Sequence, residues 1–362
     1  MPDEIAFLRT ILEQPDDDAP RLVFADWLEE HGETARAEFI RVQVELFRLP
    51  KNSPRRLELS ARERELLDRH QRGWIAALGD WVREWDFARG LLEYVRVQAV
   101  DFIRHGHLLF EKAAVRKVRL NEATRFLADV AESPVLHHLR WLDLSYNGIT
   151  ADRLSPLLES HSLASLEYLD IGMNRLGQEG LAALAASKRL DKLQALRLHR
   201  IGLRDSGAVH LLSTNWQSLR EFDLENNNLG ATGISALVDA PFAPNLRRLI
   251  LRANRIAGAG VRALVTPARL IHLTFLDLSL NQIDDDGAVA IANSATLSAL
   301  EELNLSANLI GRRGARALAA SRRLADLRRL NLSGNRLSRE EIKELKHRFG
   351  ERVQCSMAPQ MV

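Results

Sequence analysis

The stretch Leu166-Glu167-Tyr168-Leu169-Asp170-Ile171-Gly172-Met173-Asn174-Arg175-Leu176 decides how this chain folds. Leu169 and Ile171 alternate with Asp170 and Gly172, a period of two, so a short strand buries the first pair and turns the second to solvent. Asn174 ends the strand in a turn, where its amide can satisfy backbone groups that no ladder reaches, and Leu176 points back to the core. Six residues past the asparagine, Gly180 opens Gly180-Leu181-Ala182-Ala183-Leu184-Ala185, whose apolar spacing is helical. Strand, turn and helix form one unit.

The unit recurs along the chain. Asparagines stand at Asn147, Asn174, Asn227, Asn254, Asn281, Asn308 and Asn335, 27 residues apart except for one step of 53, where Ile201 occupies the missing site. Each follows the skeleton Leu-x-x-Leu-x-Leu-x-x-Asn-x-Leu/Ile, and a period of this length marks stacked supersecondary units that cannot bury their apolar faces alone. Eight units begin at Leu139, Leu166, Leu193, Leu219, Leu246, Leu273, Leu300 and Leu327. Degenerate copies, Val115-x-x-Val118-x-Leu120 and Leu92-x-x-Val95-x-Val97, precede them. Glycines at Gly180, Gly207, Gly233, Gly260, Gly287 and Gly314 open the helical runs, which suits close backbone approach. Stacked asparagines would hand hydrogen bonds from one coil to the next. Because parallel strands sit about 4.8 Å apart and helices about 8–10 Å, strands are expected on an inner, concave arc and helices on an outer, convex one. Three units depart from the pattern. Ile201 and His210 disturb the third, which predicts a weaker rung or an adapted surface, while Arg153 and Glu341 replace glycine in the first and last.

These residues carry a resemblance. The chain resembles the leucine-rich-repeat family, in its ribonuclease-inhibitor-like class, over about three quarters of its length. The resemblance implies an α/β fold: a right-handed leucine-rich-repeat solenoid shaped as a horseshoe, over residues 89–353, preceded by a small all-α domain over residues 1–88 and followed by a tail over 354–362.

The first 88 residues lack the repeat and read as helices. Asp3 to Glu13, Ala19 to His31 and Thr34 to Phe47 each carry an apolar stripe, and Asn52-Ser53-Pro54 breaks the chain before another helix from Arg55 to about Gly73. Leu22, Phe24, Trp27 and Leu28 are the expected core, with Glu29, Glu30, Glu33 and Glu38 as a solvated face. Trp74, Trp81 and Trp85, followed by Phe87-Ala88-Arg89-Gly90, are expected to make the hydrophobic joint to the first strand. The string Arg21-Leu22-Val23-Phe24-Ala25-Asp26-Trp27-Leu28-Glu29-Glu30-His31-Gly32 with Arg36 to Gln43 resembles the bacterial repeat-companion domain. That resemblance implies company for a repeat array and no activity.

Composition sets bounds on function. At 362 residues, 46% hydrophobic and 27% charged, the sequence is that of a soluble protein, and no apolar run reaches the roughly 20 residues a membrane span needs. Cys355 is the single cysteine, so no intrachain disulfide can form, and with no secretory signal at the N-terminus a cytoplasmic home is expected. Residues 1–89 hold 14 Lys and Arg against 19 Asp and Glu, a net −5, and residues 90–362 hold 36 against 29, a net +7. That excess is too thin for a nucleic-acid footprint, although Arg312, Arg313, Arg322, Arg323, Arg328 and Arg329 cluster.

Chemistry is hard to find. His105-Gly106-His107 and His137-His138 lack carboxylates or cysteines at a ligand spacing, so no metal is expected. Phosphate-loop and serine-elbow motifs are absent, and the glycines recur with the solenoid period, which packing explains. Cys355 has only seven residues after it and no catalytic domain around it. The chain is read as no enzyme, with no cofactor.

Binding is the remaining class. Solvent-facing strand positions form columns whose identities vary while the skeleton does not. Exposed aromatics and arginines dominate protein interfaces, which singles out Trp141, Asp143, Tyr146, Tyr168, Asp170, Met173, Arg197, His199, Arg200, Arg248, Arg252 and Phe275 as partner-binding residues. Arg248 and Arg252 beside Asp223, Glu225 and Asp277 could equally pair among themselves. Eight strands give an arc of about 35–40 Å, enough for a standard interface. The expected function is a monomeric scaffold that holds a protein partner on the concave strand face. The alternative is a regulator of an enzyme, since such repeats are similar to those of ribonuclease inhibitors and of activators of small GTPases.

Overall fold

The computed structural model describes residues 2–266 and 269–356, and the chain forms two compact units, Met1–Asp143 and Leu144–Val362. In the first unit, helices α1 (Pro2–Glu13), α2 (Ala19–Glu30), α3 (Thr34–Arg48) and α4 (Arg55–Ile75) follow the expected stripes closely. Phe24, Leu28, Ala37, Ile40 and Val44 are buried together with Leu8 and Ile11, while Leu22 and Trp27 are only partly buried against them. Glu29, Glu30 and Glu33 face solvent, and Glu38 pairs with Arg62 at 2.7 Å.

The helical reading stops short of residue 88. Val82–Ala88 is a strand, β1, antiparallel to β2 (Leu91–Gln98), and Arg89-Gly90 is the two-residue connection. Both turn residues have positive φ, +49° and +86°, as a tight hairpin that matches strand twist requires. Gly90 is pressed against helix α3. Its N–H donates to the buried Gln43 Oε1 at 2.6 Å, and a Cβ there would collide with the Ile40 backbone of α3. Of the three tryptophans, Trp74 packs on Phe39 and Phe87 with ring centroids 4.8 and 5.9 Å away, and Trp85 Nε1 donates to Gln71 of α4 at 3.2 Å. Trp81 instead lies against His105. Parallel strands β3 (Lys117–Asn121) and β4 (Trp141–Asp143) continue from β2 within this unit.

The second unit holds parallel strands β5 (Tyr168–Asp170), β6 (Ala195–Arg197), β7 (Glu221–Asp223), β8 (Arg248–Ile250), β9 (Phe275–Asp277), β10 (Glu302–Asn304), β11 (Arg329–Asn331) and β12 (Val353–Gln354), paired in chain order. Gln354, placed in the tail by sequence, is thus the end of the sheet, and residues 357–362 of that tail lie outside the described residues. Helices follow the turns, for example Gly177–Ala186, Ala231–Asp239 and Asp285–Asn293. Leu169, Leu196, Phe222, Leu249 and Leu276 and their partners two residues on are fully buried, so the leucine period is interior packing.

The asparagine relay is the unit's internal frame. Asn254 Oδ1 accepts the N–H groups of Asn227 and Leu229, both at 3.0 Å, and its Nδ2 donates to Leu224 O at 3.0 Å and Leu251 O at 2.9 Å. Asn174, Asn227, Asn281 and Asn308 repeat the double acceptance from the coil before them. Ile201 breaks the relay. Its own N–H reaches Asn227 Oδ1, so the backbone keeps register, but a hydrocarbon side chain gives Asn174 and Leu176 no acceptor. The same third unit shortens its helix to Arg204–Ala208 before a 3-10 segment, Val209–Ser213. Restoring the amide with Ile201→Asn should raise unfolding free energy by about 1 kcal/mol, the satisfied N–H groups outweighing the lost aliphatic burial. Urea titration reads this out, and a lower midpoint would show that Ile201 packing matters more than the relay.

One column of turn residues is left-handed, and strained wherever it is not glycine. Tyr146, Met173, Arg200, Asn226, Ala253, Leu280, Ala307 and Gly334, each just ahead of the asparagine site, all have φ between +53° and +72°. None is β-branched, because a branched Cβ suffers most in the left-handed region. Ala307→Gly should therefore stabilise by about 0.5–1 kcal/mol, relief of left-handed strain exceeding the entropy a glycine adds to the unfolded chain. An unchanged or lower melting temperature would contradict this.

Candidate protein-binding face

The strands set the face because their period of two sends one side chain in each pair outward. In the first unit, Trp141 of β4 meets Tyr94 of β2 edge-on, centroids 5.8 Å apart, and Asp143 is buried with Arg119 Nε 3.6 Å away. Trp141 is only partly buried. Tyr94 reaches it from two strands away, across β3.

The other ten predicted residues belong to the second unit. Tyr168 lies beneath Arg197, whose guanidinium carbon is 5.2 Å from the ring centroid, and Arg248 covers Phe275 at 3.4 Å. Between the two stacks, Glu221 takes Arg197 at 3.1 Å on one oxygen and Arg248 at 3.8 Å on the other. A second row runs parallel to it. Glu225 lies 3.6 Å from Arg200 and 3.7 Å from Arg252. Residues on alternate coils are thereby tied into two Arg-Glu-Arg rows, the upper one closed at both ends by an aromatic ring. These pairs were one of the two outcomes open from sequence, and each half-exposed contact is worth only about 0–1 kcal/mol.

Aspartates play a different part. Asp170 and Asp223 are buried and each accepts the N–H two residues ahead, from Gly172 and Glu225, at 2.9 Å. Asp277 takes both the N–H and the hydroxyl of Ser279 and also Asn304 Nδ2. Desolvation pushes the Asp223 carboxyl above its ordinary range, against the pull of the Glu225 N–H and of His199 and Arg197. His199 stands 3.9 Å from Asp170, its ring in the space that a side chain at Gly172 would need. Tyr146 and Met173, from the strained turn column, are exposed. Of the predicted residues, Tyr168, Arg197, Arg200, Arg248, Arg252 and Phe275 enter the two rows, with Glu221 and Glu225 between them.

The basic cluster seen in sequence is largely neutralised. Arg312 pairs with Glu340 and Glu341, Arg313 with Asp286, Arg328 with Glu301 and Arg329 with Glu302. A cavity of about 230 Å³ beside β9 to β12 is lined by Phe275, Glu302, Arg329, Arg352 and Gln354 among others. Among the described residues no three His, Cys, Asp or Glu side chains gather as a metal would need. Burial, followed by the neighbouring His137 and Arg140, lowers the pKa of His138, and burial raises that of the Cys355 thiol, so the latter is no activated nucleophile. No helix among the described residues is long and apolar enough to cross a membrane.

Family models described as leucine-rich repeat match residues 135–157, 162–185, 217–238, 242–265, 269–292 and 297–319, and another of the same description matches 326–347. The chain is a leucine-rich-repeat protein. The unmatched interval falls on the unit of Ile201 and His210, where relay and helix are both altered. No curated protein matches this leucine-rich-repeat chain. Among solved structures it is similar to internalin C2 of Listeria monocytogenes, with 20% identity, TM-score 0.45, and 65% of this chain and 92% of that chain covered. It is also similar to a protein of Bacteroides fragilis, with 19% identity and TM-score 0.39, over 68% of this chain, and it spans 66% of that chain's length.

Sequence reasoning set Glu225 beside Arg248 and Arg252 but missed Glu221, and it joined neither glutamate into a row. Their signal was present in the alternation of charge sign between successive coils, Arg197, Glu221, Arg248 and Arg200, Glu225, Arg252. It also missed Asp205 and Asp285, whose Oδ1 atoms each accept two N–H groups at the start of the next coil's helix, from Gly230 and Gly233 and from Gly311 and Gly314.

Proposed function

We propose that this leucine-rich-repeat protein is a non-catalytic scaffold whose strand face binds a protein partner. The observation that carries the reading is the contrast between the fixed and the free positions. The asparagine relay and leucine ladder are nearly invariant from coil to coil, whereas the outward strand positions hold arginines and aromatics in non-repeating order. Such side chains, presented on a rigid array, suit hot-spot recognition. The repeats fit the ribonuclease-inhibitor-like class, and residues 1–88 fit a repeat-companion module that accompanies the array of residues 89–353.

The test is capture from the parent lysate with the full chain, repeated with Tyr168→Ala plus Phe275→Ala and separately with Trp141→Ala. Loss of a specific captured protein in the first variant supports the reading. Identical captured proteins with wild type and both variants would remove the strand face as the binding surface.

A further inference from the structure

We propose that the segment received by the strand face is acidic: a carboxylate-bearing stretch of protein laid across the two Arg-Glu-Arg rows. This deepens the scaffold reading and rests on it. The argument is one of unequal access. Arg197, Arg200, Arg248 and Arg252 have side chains 39%, 52%, 40% and 44% exposed, whereas Glu221 and Glu225 are at 25% and Asp170 at 8%. Formal charge over these groups and Asp223 and Asp277 is close to balanced, so net charge does not choose the partner. What reaches solvent does.

The aspartates are consumed from within, and the glutamates are less exposed than the arginines around them. Asp170, Asp223 and Asp277 each accept a backbone N–H from their own turn, and each glutamate is shared by two guanidinium groups. The guanidinium groups are not consumed. Among the four, Arg197 alone hydrogen-bonds its glutamate, at 3.1 Å through Nη2, and the other three stand 3.6–3.8 Å off. A guanidinium offers five donors in a planar fork that fits a carboxylate bidentately, so the more exposed polar groups of the two rows are donors to spare. Stacking on Tyr168 and Phe275 holds two of the forks in place without using their N–H edges. Coils carrying arginine alternate with the glutamate coil, which puts the arginines of β6 and β8 two strand spacings apart, about 9–10 Å. A partner with carboxylates at that spacing would engage both rows. Exposed Met173 and Leu280 at the rim add apolar contact.

The experiment uses the full chain and labelled decaglutamate, decalysine and a twenty-residue thymidine oligonucleotide, read by fluorescence anisotropy. Decaglutamate is expected to bind at 50 mM salt and to weaken at least tenfold by 300 mM. Arg197→Gln, Arg200→Gln, Arg248→Gln and Arg252→Gln combined should lose at least tenfold, and Arg200→Gln alone about threefold should the combined variant fold poorly. Glu221→Gln with Glu225→Gln should tighten binding, since it removes the negative charge that lies between the forks. Preference for decalysine, oligonucleotide binding as tight as decaglutamate, or indifference to the arginine changes would overturn the proposal. Should decaglutamate fail while cellular capture still depends on Tyr168 and Phe275, the acidic assignment falls and the scaffold reading stands. Capture independent of those residues removes the scaffold reading itself.

Discussion

Asn254→Ala is expected to lower the unfolding free energy by about 3–5 kcal/mol, more than any exposed substitution on the strand face. The amide makes five bonds inside the second unit, accepting from Asn227 and Leu229 and donating to Leu224, Leu251 and, at 3.3 Å, Arg252, and Asn254 is only 4% exposed. Alanine leaves two N–H groups and the carbonyls of Leu224, Leu251 and Arg252 without that partner. A buried polar group without a partner costs about 1–3 kcal/mol, and partial relaxation keeps the total below the sum of full penalties. In a solenoid the loss is local, because each coil contacts only its neighbours. Amide hydrogen exchange should therefore speed up first at Asn227 and Leu229, one coil before the substitution, with distant coils less affected. Urea titration giving a change under 1 kcal/mol would mean that water replaces the side chain at little cost and that the relay is not what rigidifies the array.

Gly90→Val is expected to cost about 4–6 kcal/mol in the first unit. Three effects act on one atom. The position has φ +86°, where a branched residue is strained, the new Cβ would overlap the Ile40 backbone, and displacement would break the buried bond from Gly90 N–H to Gln43 Oε1. Backbone strain contributes about 1–3 kcal/mol, overpacking a similar amount, and the orphaned Gln43 about 1–3 more. Helix α3 and the β1–β2 hairpin should separate early in a thermal melt followed by tryptophan fluorescence at Trp74 and Trp85. A fall of less than 2 kcal/mol would show that the hairpin can lift from α3 without consequence for the helices.

Much of this was legible beforehand, and the reason differs from element to element. The leucines and asparagines repeat because every coil meets the same neighbours, so one physical demand is written eight times in leucine and seven in asparagine. Helices α1 to α4 were placed almost to the residue by apolar stripes and by Asn52-Ser53-Pro54. β1 was not, because residues 82–88 sit at the end of a helical region and alternate with partial exposure on both faces. The strained turn column carries only a negative signal, the absence of valine, isoleucine and threonine at eight places. Asp205 and Asp285 cap helices in the next coil, a contact across 25 to 29 residues that no local pattern encodes. On the strand face, residue types gave the ingredients. Which carboxylates lie beneath and which guanidinium groups lie above was decided by burial, something a column of letters does not contain.

The asparagine relay also gives the array a direction in time. Each turn is completed by an oxygen that lies 25 to 27 residues further along the chain, so a coil leaving the ribosome waits for its successor before its own amides are satisfied. Growth of the array is thus expected to trail synthesis by one unit, with the newest coil always provisional. The junction at Ile201, where no such side-chain oxygen arrives, is then a natural pausing point: what precedes it must close on apolar contacts and on the backbone bonds from Ile171, Met173 and Gly177, before Asn227 resumes the sequence of closures behind it.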